Sequence, residues 1–302
     1  MFTLAHATGA SRPLARAMST QVQRLGVVGA GQMGLGIALV AAKVAKLPVI
    51  LMDTKQEQID KGLKFMEKLL EKDVAKNRIS SEDAAAAIKR VTATSSLKDF
   101  SDIDMVIEAV SENEILKQSI FAELDKWTKP EAILATNTSS ISITKIAAAT
   151  QKADRVIGMH FMNPVPVMKL VEIIPGLQTS SATLDATKAL ATAMGKTCTT
   201  SQDVPGFVAN RLLMPYINEA IMTLESGIAT REDIDTTMKL GCNMPMGPLT
   251  LADFIGLDTC LAIMKVMYDG TGDSKFRPSV LLQKYVDAGW MGKKSGRGIY
   301  EY

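Results

Sequence analysis

The chain has 302 residues, enough for about two domains with cores of their own. An apolar fraction of 47% and a charged fraction of 22% suit a soluble globular protein. A net charge of +2 excludes a nucleic-acid binder working through a global field, leaving room only for local basic patches. The longest apolar run, residues 37–52, is broken by Lys43, Lys46 and Pro48, so no membrane span is expected.

The first two dozen residues carry Arg12, Arg16 and Arg24 beside Ser11, Ser19 and Thr20, and no acid precedes Asp53. Residues 1–19 are therefore expected to be a mitochondrial transit peptide, which places the mature protein in the matrix. A plain terminal tail is the alternative.

Gln23 to Val28 is a short apolar strand leading into Gly29-Ala30-Gly31-Gln32-Met33-Gly34. An apolar helix and a second strand, Val49 to Met52, complete a βαβ unit ending at Asp53. In that context the glycines have distinct tasks. Gly29 permits the tight turn, Gly31 lets the backbone approach a pyrophosphate, and Gly34 lets the helix pack closely. Gln32 and Met33 begin the helix whose free N–H groups face the phosphates. Asp53, 19 residues past Gly34, is placed to accept from a ribose 2′-hydroxyl and to repel a 2′-phosphate, which favours NAD over NADP.

A long helix is expected from Gln56 to about Ala75, and another from Ser81, with Glu82 and Asp83 in its first turn. Lys61, Lys64, Lys68, Lys72 and Lys76 form one stripe of the first. The stripe suits an anionic group, or else a solvated face supported by Glu57, Glu67 and Glu71. Strand-like runs return at 103–110, 132–136 and 156–160, with helices such as Leu116 to Trp127 between them. This alternation implies a Rossmann-type, doubly wound, mainly parallel sheet with helices on both faces.

Asn137-Thr138-Ser139-Ser140 follows one strand, where small polar groups can bind a ligand or cap the helix that begins near Ile143. His160 ends another strand, and no histidine follows it in the chain. The carboxyl ends of parallel strands are where ligands bind, and a histidine there can take a hydroxyl proton at neutral pH. Glu172 lies past a Pro164-Val165-Pro166 turn that can fold the chain back, so that its carboxylate orients the imidazole. A lone histidine is equally well structural on this ground alone. After Pro205-Gly206, apolar residues recur at helical spacing, and Thr230 with Asp233 marks a further helix start. We divide the chain into residues 20–204, the dinucleotide-binding domain, and 205–302, a smaller all-helical domain. Cys198, Cys242 and Cys260 show no metal-ligand spacing and read as buried thiols in a reducing compartment, with no metal expected.

The segments 135–140, His160-Phe-Met-Asn-Pro-Val-Pro-Val-Met-Lys-Leu-Val-Glu172, 205–211, 246–248 and 292–298 together resemble the L-3-hydroxyacyl-CoA dehydrogenases. The resemblance runs from about Arg24 to Tyr302 and implies NAD-dependent oxidation of (S)-3-hydroxyacyl-CoA, in fatty-acid β-oxidation. It makes His160 the base and Glu172 its orienting partner, with Ser139 and Asn210 completing the substrate site. It puts Asp53, Glu112, Lys117, Asn137 and Lys294 on NAD, and CoA along the lysine stripe, with Lys76 and, less strongly, Lys68 as contacts. It also implies a homodimer built on the helical domain. Phe161-Met162 and Gly298-Ile299-Tyr300 depart from the family's usual residues. A related dehydrogenase of a sugar acid such as L-gulonate, and a non-catalytic crystallin-like NAD-binding protein, are the other readings.

Overall fold

The computed structural model describes residues 22–302, and the expected transit peptide lies outside them. Eight strands among the described residues form one sheet. They are β1 (Leu25–Val28), β2 (Val49–Met52), β3 (Val91–Thr94), β4 (Met105–Glu108), β5 (Ile133–Thr136), β6 (Val156–Phe161), β7 (Leu170–Pro175) and β8 (Thr197–Thr200). Their order is β3-β2-β1-β4-β5-β6-β7-β8, so the winding reverses between β1 and β4. All neighbours are parallel except β6 and β7. Strands β1, β4 and β5 are buried at every position, which is why each is mostly apolar, with Glu108 and Thr136 as the polar last residues of β4 and β5.

Helices α1 (Gln32–Lys43), α2 (Gln56–Ala75), α3 (Ser81–Lys89), α4 (Glu114–Trp127), α5 (Ile143–Ala147) and α6 (Ser181–Ala193) cover both faces. One core packs α1 and α6 against Val27, Ile107 and Met159; the other packs α4 and α5 against Val28, Val106 and Leu134. The alternation within each strand assigns successive side chains to opposite layers. Helix α1 is buried from Gly34 to Ala42, explaining its nearly uniform apolar sequence.

The remaining residues form α7 (Ala209–Glu225), α8 (Arg231–Thr236), α9 (Pro248–Ile255), α10 (Leu257–Thr271) and α11 (Val280–Asp287) around a third core that includes Ile217, Ile221, Leu249 and Leu261. The architecture is thus the expected doubly wound sheet with a smaller helical domain. Two buried carboxylates tie that domain together. Asp235 accepts from the N–H groups of Leu249 and Thr250, and Asp253 from those of Ile299 and Tyr300. A side chain at Gly247 or Gly298 would collide with them, which accounts for both glycines. Ile299 is buried in this core, away from the sheet. No helix is long and apolar enough to cross a membrane among the described residues.

Helix starts follow the sequence closely: Ser80, Ser142 and Thr230 each accept a backbone N–H three residues on. Strands β3 and β8 were not expected. They are short, threonine-bearing edge strands without an apolar run, and only pairing with β2 and β7 makes them strands.

Candidate active site

The turn between β1 and α1 is shaped for a dinucleotide. Gly29 has φ +101°, a conformation open to glycine. A side chain at Gly34 would collide with the Gly29 carbonyl, whereas one at Gly31 would meet open space. The helix that starts there has no side-chain cap and no acid in its first turn, so its amino end is left to a ligand. Asp53 bonds the N–H groups of Ala30 (2.9 Å) and Lys55 (3.0 Å), holding its carboxylate beside the glycine turn. Met33 packs partly into the core beneath. Gln32 is exposed, and its Nε2 donates to Asn163 Oδ1 at 3.1 Å. These residues fit a dinucleotide: an open cradle at Gly31, free helix N–H groups and an acid at the end of β2.

His160 and Glu172 are paired directly across β6 and β7, so the proline turn does fold the chain back. Glu172 is 1% exposed, and its Oε2 lies 2.9 Å from His160 Nδ1. An ionised carboxylate only accepts, so Nδ1 carries the proton and Nε2 is left with a lone pair. The other oxygen, Oε1, accepts from the N–H groups of Val208 and Ala209 at 3.0 Å each, at the start of α7. Burial pushes the Glu172 carboxyl up, but the His160 and backbone donors outweigh it and hold it below the ordinary range. Phe207 stands against the imidazole, ring centroids 5.8 Å apart.

The same start of α7 carries Asn210, which is buried and donates from Nδ2 to the Ser139 carbonyl at 3.2 Å. Asn137 Oδ1 accepts from Phe161 N–H at 2.8 Å, next to His160. The 137–140 loop therefore touches both the histidine strand and the helical domain. His160, Glu172, Ser139 and Asn210 are brought together from three separate segments.

Glu112 sits at the rim of this loop. Its Oε1 accepts from the N–H groups of Ser139 (2.9 Å) and Ser140 (3.1 Å), and from the hydroxyls of Thr138, Ser139 and Ser140. Burial raises its pKa, but the Lys117 charge and these donors prevail and lower it. Lys117 is 1% exposed, with Nζ 2.6 Å from Glu108 Oε1 and 3.7 Å from Glu112 Oε2. Glu108 is fully buried and also accepts from Thr136 Oγ1 and Val110 N–H. Lys117 thus lies beneath the loop rather than on the cleft surface.

Other expected contacts lie apart. Lys294 pairs with Asp258 at 2.6 Å, at the start of α10, whose far end meets Pro205 and Gly206. Fifteen helical residues, about 20 Å, separate the two ends. Lys68 is exposed on α2, and Lys76, also exposed, follows the last residue of that helix, about 30 Å from its start. Of the supporting acids only Glu57 pairs within the stripe, with Lys61. Asn163 and Glu108 were missed as site residues: Asn163 by standing within a longer motif, Glu108 because nothing in a buried strand's sequence marks its last residue as charged for a purpose. Among the described residues no cluster of His, Cys, Asp or Glu could hold a metal ion. Of the three cysteines expected to be buried only Cys260 is, whereas Cys198 is half-buried on an edge strand and Cys242 is exposed.

Family models for the 3-hydroxyacyl-CoA dehydrogenase NAD binding domain and C-terminal domain match residues 24–204 and 206–302. The chain belongs to the 3-hydroxyacyl-CoA dehydrogenase family. It is 50% identical over 285 residues to 3-hydroxybutyryl-CoA dehydrogenase of Bradyrhizobium diazoefficiens, covering 94% of this chain and 97% of that protein. It is 53% identical over 282 residues to a probable 3-hydroxybutyryl-CoA dehydrogenase of Bacillus subtilis, covering 93% and 98%. The crystal structure of (S)-3-hydroxybutyryl-CoA dehydrogenase from Ralstonia eutropha superposes with a TM-score of 0.91 at 48% identity, covering 93% of this chain and 99% of that one. The expected mitochondrial location is overturned here, because these relatives are bacterial, from cells without that compartment. The expectation rested on the composition of a short terminal segment alone.

Proposed function

We propose that the His160–Glu172 pair at the carboxyl end of β6 is the acid–base centre of this NAD-dependent 3-hydroxyacyl-CoA dehydrogenase. The enzyme oxidises the 3-hydroxyl of an acyl-CoA thioester reversibly to the 3-oxo compound. A bound NAD, held at the glycine turn and Asp53, would supply the hydride acceptor for C3. His160 Nε2 takes the hydroxyl proton in the oxidative direction and returns it in the reductive one. Glu172 accepts from Nδ1–H, selecting the tautomer with a free Nε2 and stabilising the imidazolium that forms. The observation that carries this reading is a buried, anionic Glu172 bonded on one side to His160 and on the other to the start of α7.

Ser139 and Asn210 position the substrate oxygen, and Asp53, Asn137 and the glycine turn hold NAD. Glu112 serves the cofactor side through the 137–140 loop it bonds, and Lys117 through Glu112. CoA phosphates run along the α2 lysines, with Lys76 as the chief contact and Lys68 a weaker one. The functional division falls at residue 204, with 205–302 completing the substrate site. The similarity to 3-hydroxybutyryl-CoA dehydrogenases supports a short acyl chain, and β-oxidation is the metabolic setting. A homodimer is supported by apolar side chains left exposed on the helical domain, among them Leu212 at 70% and Leu240 at 76%.

The test is NADH formation with (S)-3-hydroxybutyryl-CoA, its hexanoyl and decanoyl homologues, free 3-hydroxybutyrate and L-gulonate. Turnover confined to thioesters, fastest for the four-carbon chain, is expected. Turnover of a free acid without any thioester would overturn the substrate reading.

A further inference from the structure

Lys196 stands between α6 and β8, and it is 9% exposed. Its ammonium donates to the main-chain carbonyls of Val165 and Met168, the latter at 2.8 Å. Burial pushes its pKa down, and no carboxylate offsets this. An ammonium buried on carbonyls alone costs more than a methionine of similar volume would. What the charge holds is therefore the question.

It holds the segment joining β6 to β7, which leaves the sheet just after His160 and Phe161. Pro164 and Pro166 lack N–H groups, so this segment can do little to organise itself. Its own bonds are those from Val167 and Met168 N–H to the Pro164 carbonyl. The Val165 and Met168 carbonyls take their donors from Lys196 instead. Beyond the lysine, Thr197 N–H bonds the Lys169 carbonyl, where β7 begins. On the opposite side, buried Val165 packs on Gly36 of α1, where a side chain would lie 2.8 Å from its Cβ. Asn163 accepts from Gln32, at the amino end of the same helix.

We infer that Lys196 is a positioning residue for the dinucleotide site, clamping the 163–168 segment onto α1 so that Asn163 meets Gln32 beside the glycine turn. It acts through main-chain carbonyls, and the register of His160 against Glu172, set by the sheet itself, does not depend on it. Loss of the charge therefore weakens cofactor binding and spares the chemical step. The inference rests on NAD binding at the glycine turn.

Lys196→Met, Asn163→Ala and the double variant test it, by NADH titration through its fluorescence and by steady-state kinetics at varied NAD. Lys196→Met is expected to weaken NADH binding and raise the NAD KM about tenfold, the worth of a charge-assisted hydrogen bond, with kcat within about twofold. Because the lysine works through Asn163, the double variant should bind NADH no more weakly than the weaker single one. Losses that multiply, or a fall in kcat at unchanged NAD KM, would overturn it. Should Lys196→Met fail to fold, Lys196→Arg retains the charge with a different reach. Weaker NADH binding at unchanged kcat then supports the clamp, and unchanged NADH affinity sinks it. If NADH fails to bind the unaltered protein, the NAD reading itself fails, an outcome distinct from these.

Discussion

Nδ1 of His160 lies 2.9 Å from Oε2 of Glu172, and the two residues face each other across the antiparallel β6–β7 pair. Twelve residues apart in the chain, they become immediate neighbours because the intervening turn reverses it. The second oxygen of the same carboxylate bonds the first turn of the helical domain. One side chain thus orients the base and fastens the two halves of the enzyme together.

Replacing His160 with Gln should lower kcat by at least about a hundredfold, the usual worth of a general base. NADH affinity, measured by titration, should stay within a few-fold, since the glycine turn is untouched. A variant that kept most of its turnover would remove His160 from the mechanism.

Glu172→Gln should both slow turnover and destabilise the fold. A neutral amide cannot stabilise an imidazolium, and two buried N–H groups lose a charged acceptor, together about 2–3 kcal/mol. The carboxyl is held below its ordinary value, so its stabilising contribution is full above about pH 4.5 and fades as pH falls through the lower native value. In urea unfolding, the stability gap between the two proteins should therefore be wide at neutral pH and narrow in acid. A gap independent of pH would mean that the charge is not what stabilises.

The glycines of the turn should separate binding from folding. Gly31→Ala meets no neighbour in the protein and should melt near the parent temperature while losing NADH affinity strongly. Gly34→Ala runs into the Gly29 carbonyl and should lower the melting temperature itself. Thermal melts with and without NADH decide it, and a Gly31→Ala protein with normal affinity would place the pyrophosphate elsewhere.

Lys117→Met should be more damaging than any exposed-lysine change, because it strands the Glu108 carboxylate in the core. Breaking one partner of such a pair costs about 3–5 kcal/mol. Changing Glu108 to Gln in the same protein should recover part of that loss by removing the stranded charge. Additive destabilisation in the double variant would contradict the pairing.

Local chemistry made much of this protein legible before any fold was known. The glycine turn, Asp53, the helix starts at Ser81 and Thr230, and the buried central strands each follow from short-range sterics, hydrogen bonding and burial pattern. His160 and Glu172 were visible as candidates, because a proline turn between them implied a reversal. What the sequence could not contain was distance between segments far apart in the chain. Asn210 meets Ser139 across 71 positions, and Val208 and Ala209 meet Glu172 across 36 and 37. Lys117, which the resemblance put on NAD, is buried on Glu108, and no local pattern announced it, because burial of a charge depends on which neighbours the packing supplies. Lys196 left no local signal at all, since its partners are main-chain carbonyls about thirty residues away. Periodicity and turn chemistry determined the elements; the tertiary structure alone decided which charges were paired, since pairing is a property of space and not of spacing.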